Sequence, residues 1–132
     1  MEIEVPERYE AARWYRVALG FEICRDYQFW AEVADGPLMI STDDGKTKLA
    51  LFDGQPQGAV RPVGIRRIAF RIGGKDFVTL IHQLDSLTGA DVVRRSEVSD
   101  HGKSFSVYFA DPYGNKLEVT TYDSDAVRTQ LE

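Results

Sequence analysis

Apolar and polar residues alternate in short runs along most of the chain, and each half also contains one stretch with helical spacing. Alternation is typical of half-buried strands, whereas apolar residues three and four positions apart indicate one face of a helix. In each half a strand comes first, a helix second and three strands afterwards. The pattern predicts an α+β fold with two βαβββ modules, residues 1–53 and 64–123, in one domain over residues 1–132.

In the first half, Pro6 suits the start of a helix that we predict over residues 7–19, with Gly20 as its stop. The predicted buried stripe of this helix consists of Tyr9, Ala12 and Val17. Residues 21–34 contain aromatic and β-branched side chains that favour a strand, either continuous or broken around Asp26, and two shorter strands follow at 38–42 and 47–53.

Residues 54–63, rich in Gly, Pro and Gln, form a predicted linker, after which the order of elements restarts. The second helix is predicted over residues 76–89. Its apolar positions are Phe77, Leu80, Ile81, Leu84 and Leu87. Strands are predicted at 64–72, 90–95, 104–110 and 116–123, and the tail 124–132 is either a short helix or a loose end.

The charge and composition narrow the class of protein. The chain has 132 residues, a net charge of −5 and one cysteine, Cys24, so no internal disulfide is possible. Nucleic-acid binding usually needs a basic face, so this acidic chain is not expected to bind DNA or RNA. No apolar run approaches the length of a membrane span, so no membrane insertion is expected either. The N-terminal residues lack a signal-peptide pattern, and we expect a cytoplasmic protein.

Three motifs in this order resemble the vicinal oxygen chelate superfamily, which contains glyoxalases, bleomycin resistance proteins and extradiol dioxygenases. They are AARWYRVALGFEI at residues 11–23, RRIAFRI at 66–72 and YFADPYGNKLEV at 108–119. The resemblance covers about residues 2–123. It implies a curved mixed sheet with a concave pocket, helices on the convex side and, in many members, a homodimer.

The resemblance also implies a divalent metal held by His and Glu residues, which this chain lacks at most positions. The family's first-strand His would fall at or before Met1, its fifth-strand His corresponds to Arg67, and a carboxylate found in some members corresponds to Ala50. Of the family's metal-ligand positions, only the one at Glu118 carries a residue that can bind a metal. Because a catalytic site needs about three protein ligands and a guanidinium repels cations, we expect no metal and no cofactor. Two routes to a metal stay open, through Glu2 and Glu4 or through a His upstream of Met1.

Side-chain alternation separates a core face from a face that the resemblance places in the pocket. The predicted ligand-binding residues are Arg67, Arg71, Ser106, Tyr108, Thr120, Phe52 and Trp30. Glu118 and the loop residue His101 are candidate catalytic groups, since a loop His with an ordinary pKa exchanges protons at neutral pH. Arg67 and Glu118 are expected either to form an ion pair or to hold a ligand between them.

These observations favour a protein that binds a small polar or anionic organic ligand without the family metal. One alternative is a metal-dependent lyase or an extradiol-type dioxygenase with an altered ligand set. Another is an interaction protein whose pocket is vestigial. The fold alone does not decide among them, because one fold hosts many chemistries.

Overall fold

The structure is a computed structural model that describes residues 1–54, 67–87 and 97–131. The chain divides into two compact units, Met1–Gln57 and Gly58–Glu132. The first unit contains β1 (Glu2–Val5), α1 (Arg8–Leu19), β2 (Glu22–Ile23), a 3₁₀ segment (Arg25–Glu32), β3 (Leu38–Ser41) and β4 (Leu49–Asp53). The second contains β5 (Ile68–Arg71), α2 (Gly74–Leu87), β6 (Glu97–Asp100), β7 (Phe105–Ala110), β8 (Lys116–Thr121) and α3 (Ser124–Leu131).

Each unit has one four-stranded mixed sheet, and the two sheets share one topology. The strand orders are β1-β4-β3-β2 and β5-β8-β7-β6. In each sheet the first strand of the module pairs in parallel with the last, and the remaining pairs are antiparallel. The predicted α+β class with two βαβββ modules is confirmed, although the two halves share little sequence.

Helix α1 begins and ends where the sequence indicates, but it buries different residues. The Glu7 carboxylate accepts hydrogen bonds from the amides of Tyr9 and Glu10, and Gly20, at φ 75°, ends the helix in the left-handed conformation. The predicted stripe is wrong at Tyr9 and Val17, which are both exposed. The buried face consists of Ala11, Ala12, Tyr15 and Ala18, because small alanines let the helix approach its neighbours around one large ring.

The strand predicted at residues 21–34 is broken close to Asp26, the alternative that the sequence left open, and the prediction of strand structure is wrong beyond that break. Pairing with β3 ends after the Cys24 amide donates to the Met39 carbonyl, and the 3₁₀ segment then starts. Residues three apart lie on the same side of a 3₁₀ helix. Tyr27 and Trp30 accordingly contact each other, with ring centroids 4.9 Å apart and ring planes tilted by 41°. Aromatic content indicated a strand here, but the spacing of the rings matches the 3₁₀ period.

The core of the second unit follows the predicted pattern. On α2 the buried residues are Phe77, Leu80, Ile81 and Leu84, whereas the side chain of Leu87 lies outside the described part. The buried strand residues are Ile68, Phe105, Val107, Phe109, Leu117 and Val119. These residues occupy the face of each strand that alternation assigned to the core, so the opposite face is free to carry polar side chains.

One predicted strand of the second unit falls on residues that the structure does not describe, and the tail forms one of its two predicted alternatives. The strand predicted at 90–95 and the linker residues 55–63 lie outside the described residues. Strand β6 lies at Glu97–Asp100 and is paired with β7. The tail forms α3, whose Val127 is fully buried. Among the described helices, none has the length and apolarity needed to cross a membrane.

Candidate functional site

The strand register of the second unit brings most of the predicted ligand-binding residues together. Two rows cross β5, β8 and β7, namely Ala69–Glu118–Tyr108 and Arg71–Thr120–Ser106. Residues paired in this way point to the same side of a sheet. We call this side the polar face, which consists of Arg67, Arg71, Ser106, Tyr108, Glu118 and Thr120.

Glu118 is half-buried on β8 and is held by hydroxyl groups. One carboxylate oxygen, Oε1, accepts a hydrogen bond from Ser106 Oγ at 2.8 Å. Ser106 is 1% exposed and also lies 3.0 Å from Thr120 Oγ1, which donates to the Phe105 carbonyl at 3.1 Å. The second oxygen, Oε2, has no partner among the described residues. Glu118 is therefore fixed in place with one acceptor free.

Of the two arrangements predicted for Arg67 and Glu118, the direct ion pair is not formed within the described residues. The guanidinium carbon of Arg67 lies 4.6 Å from the ring centroid of Tyr108. Its Nε atom is buried and has no hydrogen-bond partner in the described part of the chain. The ring covers the face of the guanidinium, whereas the Nε–H bond points within the guanidinium plane, so Tyr108 does not satisfy this donor.

His101 joins the same group through Tyr108. Its Nε2 atom lies 3.0 Å from the Tyr108 hydroxyl oxygen. The residue sits in the turn between β6 and β7, where its amide donates to the Ser104 carbonyl. Gly102, at φ 84°, supplies the left-handed conformation that this turn needs. The sequence indicated a loop His near the site, but only the structure shows that it contacts Tyr108.

A contact from α3 holds the turn that carries His101. Arg128 Nη2 donates to Asp100 Oδ1 at 3.1 Å and to the Gly102 carbonyl at 2.8 Å. The Gly102 amide also donates to Asp100 Oδ1, at 2.8 Å. The bond from the Gly102 amide has the largest effect on the Asp100 carboxylate, and the bond and charge of Arg128 come after it. Together they hold the pKa of Asp100 below its usual value.

We expect Arg128→Gln to raise the pKa of Asp100 toward, but not up to, its usual 3.8, because the Gly102 amide bond remains. An Asp whose pKa is lowered in the fold contributes stability above its ordinary pKa, and that stability is lost as the pH falls through the lowered value. A carboxyl ¹³C NMR titration of the parent and the variant checks this. Identical titration curves for Asp100 would show that Arg128 does not act on the turn.

Arg71 lies apart from the Arg67 group, at the end of the polar face. Its guanidinium carbon is 4.7 Å from the ring centroid of Tyr122. A recess opens beside it, lined by Arg71, Ile72, Gly73, Thr121, Tyr122 and Asp123. The recess is too open to enclose a ligand. The negative charge of the Asp123 carboxylate also repels an anion there. We therefore place the candidate site at Arg67 and not at the recess.

Two predicted ligand-binding residues, Phe52 and Trp30, belong to the first unit. Phe52 is half-buried on β4. Trp30 is exposed and contacts the rings of Tyr27 and Phe29. In the same unit, burial raises the pKa of the Cys24 thiol, which is the opposite of what a reactive cysteine needs.

The residues at the expected metal position do not fit a divalent cation. Glu118 supplies a single carboxylate, and Arg67 places a permanent positive charge on the same face. No three His, Cys, Asp or Glu side chains converge anywhere in the described ranges, which include Glu2 and Glu4. The arrangement instead offers a donor at Arg67 and an acceptor at Glu118.

Comparisons with known proteins identify the fold. A model of the Glyoxalase/Bleomycin resistance protein/Dioxygenase superfamily matches residues 3–119. A glyoxalase/bleomycin resistance protein/dioxygenase from Alicyclobacillus acidocaldarius is 16% identical, with 96% of this chain and 92% of that chain covered and a TM-score of 0.68. A lactoylglutathione lyase from Agrobacterium tumefaciens is 22% identical, with 94% and 92% covered and a TM-score of 0.62.

The fosfomycin resistance protein FosX from Mesorhizobium loti is 19% identical, with 92% of this chain and 87% of that chain covered and a TM-score of 0.63. No curated protein matches the chain. Likeness at this level of identity shows the fold alone. Helix α3, with Arg128, lies beyond the residues that the superfamily model matches.

Proposed function

The chain belongs to the Glyoxalase/Bleomycin resistance protein/Dioxygenase superfamily, and we propose that it binds a small polar or anionic organic ligand at Arg67 on the polar face. In this proposal the guanidinium takes the role that a divalent metal has in many relatives. A homodimer and a cytoplasmic location remain predictions from the sequence.

The observation that carries the proposal is the buried Nε of Arg67, which has no acceptor among the described residues. A buried donor without a partner costs about 1–3 kcal/mol, and more when the group is charged. Trp14 Nε1 and Ser124 Oγ are buried without hydrogen-bond partners as well, but both are neutral. Arg8 Nε is also buried without a hydrogen bond, but it lies 2.9 Å from the Asp53 carboxylate, so its charge is paired. A charged donor left without an acceptor favours a bound anion, which would recover this cost.

The chemistry of the guanidinium selects the class of ligand. Its planar fork matches carboxylate and phosphate groups through two parallel hydrogen bonds. Tyr108 covers one side of the guanidinium and so fixes its plane. A side chain that is already fixed loses less conformational entropy when a ligand binds.

The experiment compares the parent with Arg67→Met, which keeps the bulk of the side chain and removes its charge. A panel of small carboxylates, sulfonates and phosphates is screened by thermal shift, and the dissociation constant of each stabilising compound is then measured by calorimetry. We expect Arg67→Met to lose about 1.5–3 kcal/mol, or about 10–150-fold in affinity, for the loss of charge-assisted hydrogen bonds.

The matched control is Arg13→Met, which removes the same charge from an exposed position on α1. We expect this variant to bind like the parent, because general charge attraction is weak at physiological salt. Equal losses in both variants, or no stabilisation of the parent by any anion, would contradict the proposal. The second outcome would favour an interaction protein.

A second candidate function is metal-free proton transfer by Glu118 and His101. It is favoured by the free Oε2 of Glu118 and by the 3.0 Å contact between His101 Nε2 and the Tyr108 hydroxyl. A general base needs an unblocked acceptor within reach of the proton that it removes. If a bound compound is also converted, we expect Glu118→Gln to abolish turnover while the ligand still binds.

A further inference from the structure

We propose that the ligand is a small carboxylic acid with an amino or hydroxyl group on its α-carbon. This inference rests on the proposed function and adds a second point of recognition to it. The carboxylate binds Arg67, and the neighbouring amino or hydroxyl group donates to Glu118.

Glu118 supplies the second point of recognition, because one of its carboxylate oxygens already accepts a hydrogen bond and the other is free to accept one from a ligand. Oε1 accepts from Ser106 Oγ at 2.8 Å, which holds the group in one orientation. Oε2 has no donor among the described residues, although Glu118 is half-buried. A carboxylate accepts hydrogen bonds only, so a ligand that satisfies Oε2 must carry a donor.

Arg67 and Glu118 carry opposite charges on one face, yet the structure does not pair them. Each charge contacts a different neutral neighbour, Tyr108 for the guanidinium and Ser106 for the carboxylate. A molecule with an acceptor at one end and a donor at the other complements both groups at once. A simple anion satisfies only Arg67 and places its own charge near Glu118.

The geometry limits this molecule to a small one. Arg67 precedes β5 and its guanidinium lies against the ring of Tyr108 on β7, so the two side chains together span the intervening strand β8. Tyr108 is the direct cross-strand partner of Glu118. Because neighbouring strands are about 4.8 Å apart, the proposal favours a ligand whose two groups are on adjacent carbon atoms over a longer one.

A matched series of phenyl compounds tests the two points separately. The probes are 3-phenylpropionate with the carboxylate alone, 2-phenylethylamine with the amine alone, and L-phenylalanine and 2-hydroxy-3-phenylpropionate with both groups. The shared phenyl group adds equal apolar surface to each probe. We expect the bifunctional acids to bind the parent about tenfold or more tightly than either monofunctional probe.

The variant Glu118→Gln isolates the second point. We expect its affinity for L-phenylalanine to fall about tenfold, whereas 3-phenylpropionate binds at least as tightly as before because the repulsion from Glu118 is gone. The preference for the α-substituted acids is then lost. Arg67→Met, in contrast, weakens all three acids and leaves 2-phenylethylamine least affected.

The possible outcomes separate this inference from the proposed function. If 3-phenylpropionate binds the parent through Arg67 as tightly as L-phenylalanine does, the inference is overturned and the proposed function stands. A preference that survives in Glu118→Gln overturns the inference as well. If no carboxylic acid binds the parent, the inference fails, and the proposed function fails with it only if no sulfonate or phosphate binds either. Circular dichroism and the thermal midpoint of each variant show whether a loss comes from unfolding.

Discussion

Phe77→Ala is expected to lower the free energy of unfolding by about 3–5 kcal/mol. Phe77 is fully buried on α2, in the core beneath the sheet that carries the polar face. The substitution removes a ring from contact with its neighbours and leaves a cavity that the surrounding side chains fill only in part. Urea denaturation at 25 °C, followed by circular dichroism, measures the change.

The control is Thr79→Ala, two residues along the same helix on its exposed side. We expect a change within about 0.5 kcal/mol, since exposed substitutions away from special features have small effects. A loss for Phe77→Ala no larger than that of the control would show that α2 does not pack on the sheet as described.

Asp111→Ala is expected to lower the free energy of unfolding by about 3 kcal/mol, because it leaves donors without an acceptor. Asp111 is 4% exposed. Its Oδ1 accepts from the amides of Tyr113 at 3.0 Å and Asn115 at 2.8 Å, and its Oδ2 accepts from Asn115 Nδ2 at 2.7 Å. These bonds shape the turn that joins β7 to β8, so the same variant also disturbs the pairing of Tyr108 with Glu118.

Lys116→Ala serves as the control for this turn, because Lys116 is exposed at the start of β8. Chemical denaturation gives the stability of both variants, and cross-strand amide contacts in NMR spectra report on the pairing. If Asp111→Ala is as stable as the control, then the carboxylate does not hold the turn and solvent satisfies these amides.

Most of the polar face follows from the sequence, because the strand period of two fixes which side chains share a face. Alternation in KLEVTT places Glu118 and Thr120 opposite the buried Leu117 and Val119. The turn sequence DPYGN fixes where β7 ends and β8 begins, and hence the register between them. The fold class and the residues of the polar face were therefore predictable from local patterns.

The local contacts of Arg67 were not predictable. Alternation along a strand indicates the face on which a side chain lies, but not which neighbours that side chain contacts. Arg67 and Glu118 share a face, which left open an ion pair or a ligand between them, but the guanidinium of Arg67 lies against the ring of Tyr108. The contact of His101 with Tyr108 depends on the turn conformation and on Arg128, which lies far along the chain. Neither contact leaves a signal in the spacing of residues.

The errors in the first unit have a similar cause. Residues 21–34 carry strand-forming side chains, and the 3₁₀ segment forms where pairing with β3 stops. On α1 the large apolar residues Tyr9 and Val17 suggested a stripe, whereas the helix buries alanines around Tyr15. In both places tertiary packing overrides the intrinsic preference of single residues.

The most direct test of the account is the NMR signal of the Arg67 Nε–Hε group during titration with 3-phenylpropionate. We predict a saturable downfield shift as the buried Nε gains an acceptor, while the Nε–Hε signal of Arg128, whose guanidinium is held through Nη2 by Asp100 and Gly102, stays in place. An Arg67 signal that does not move when the compound saturates the protein would contradict the claim that Arg67 receives the anion.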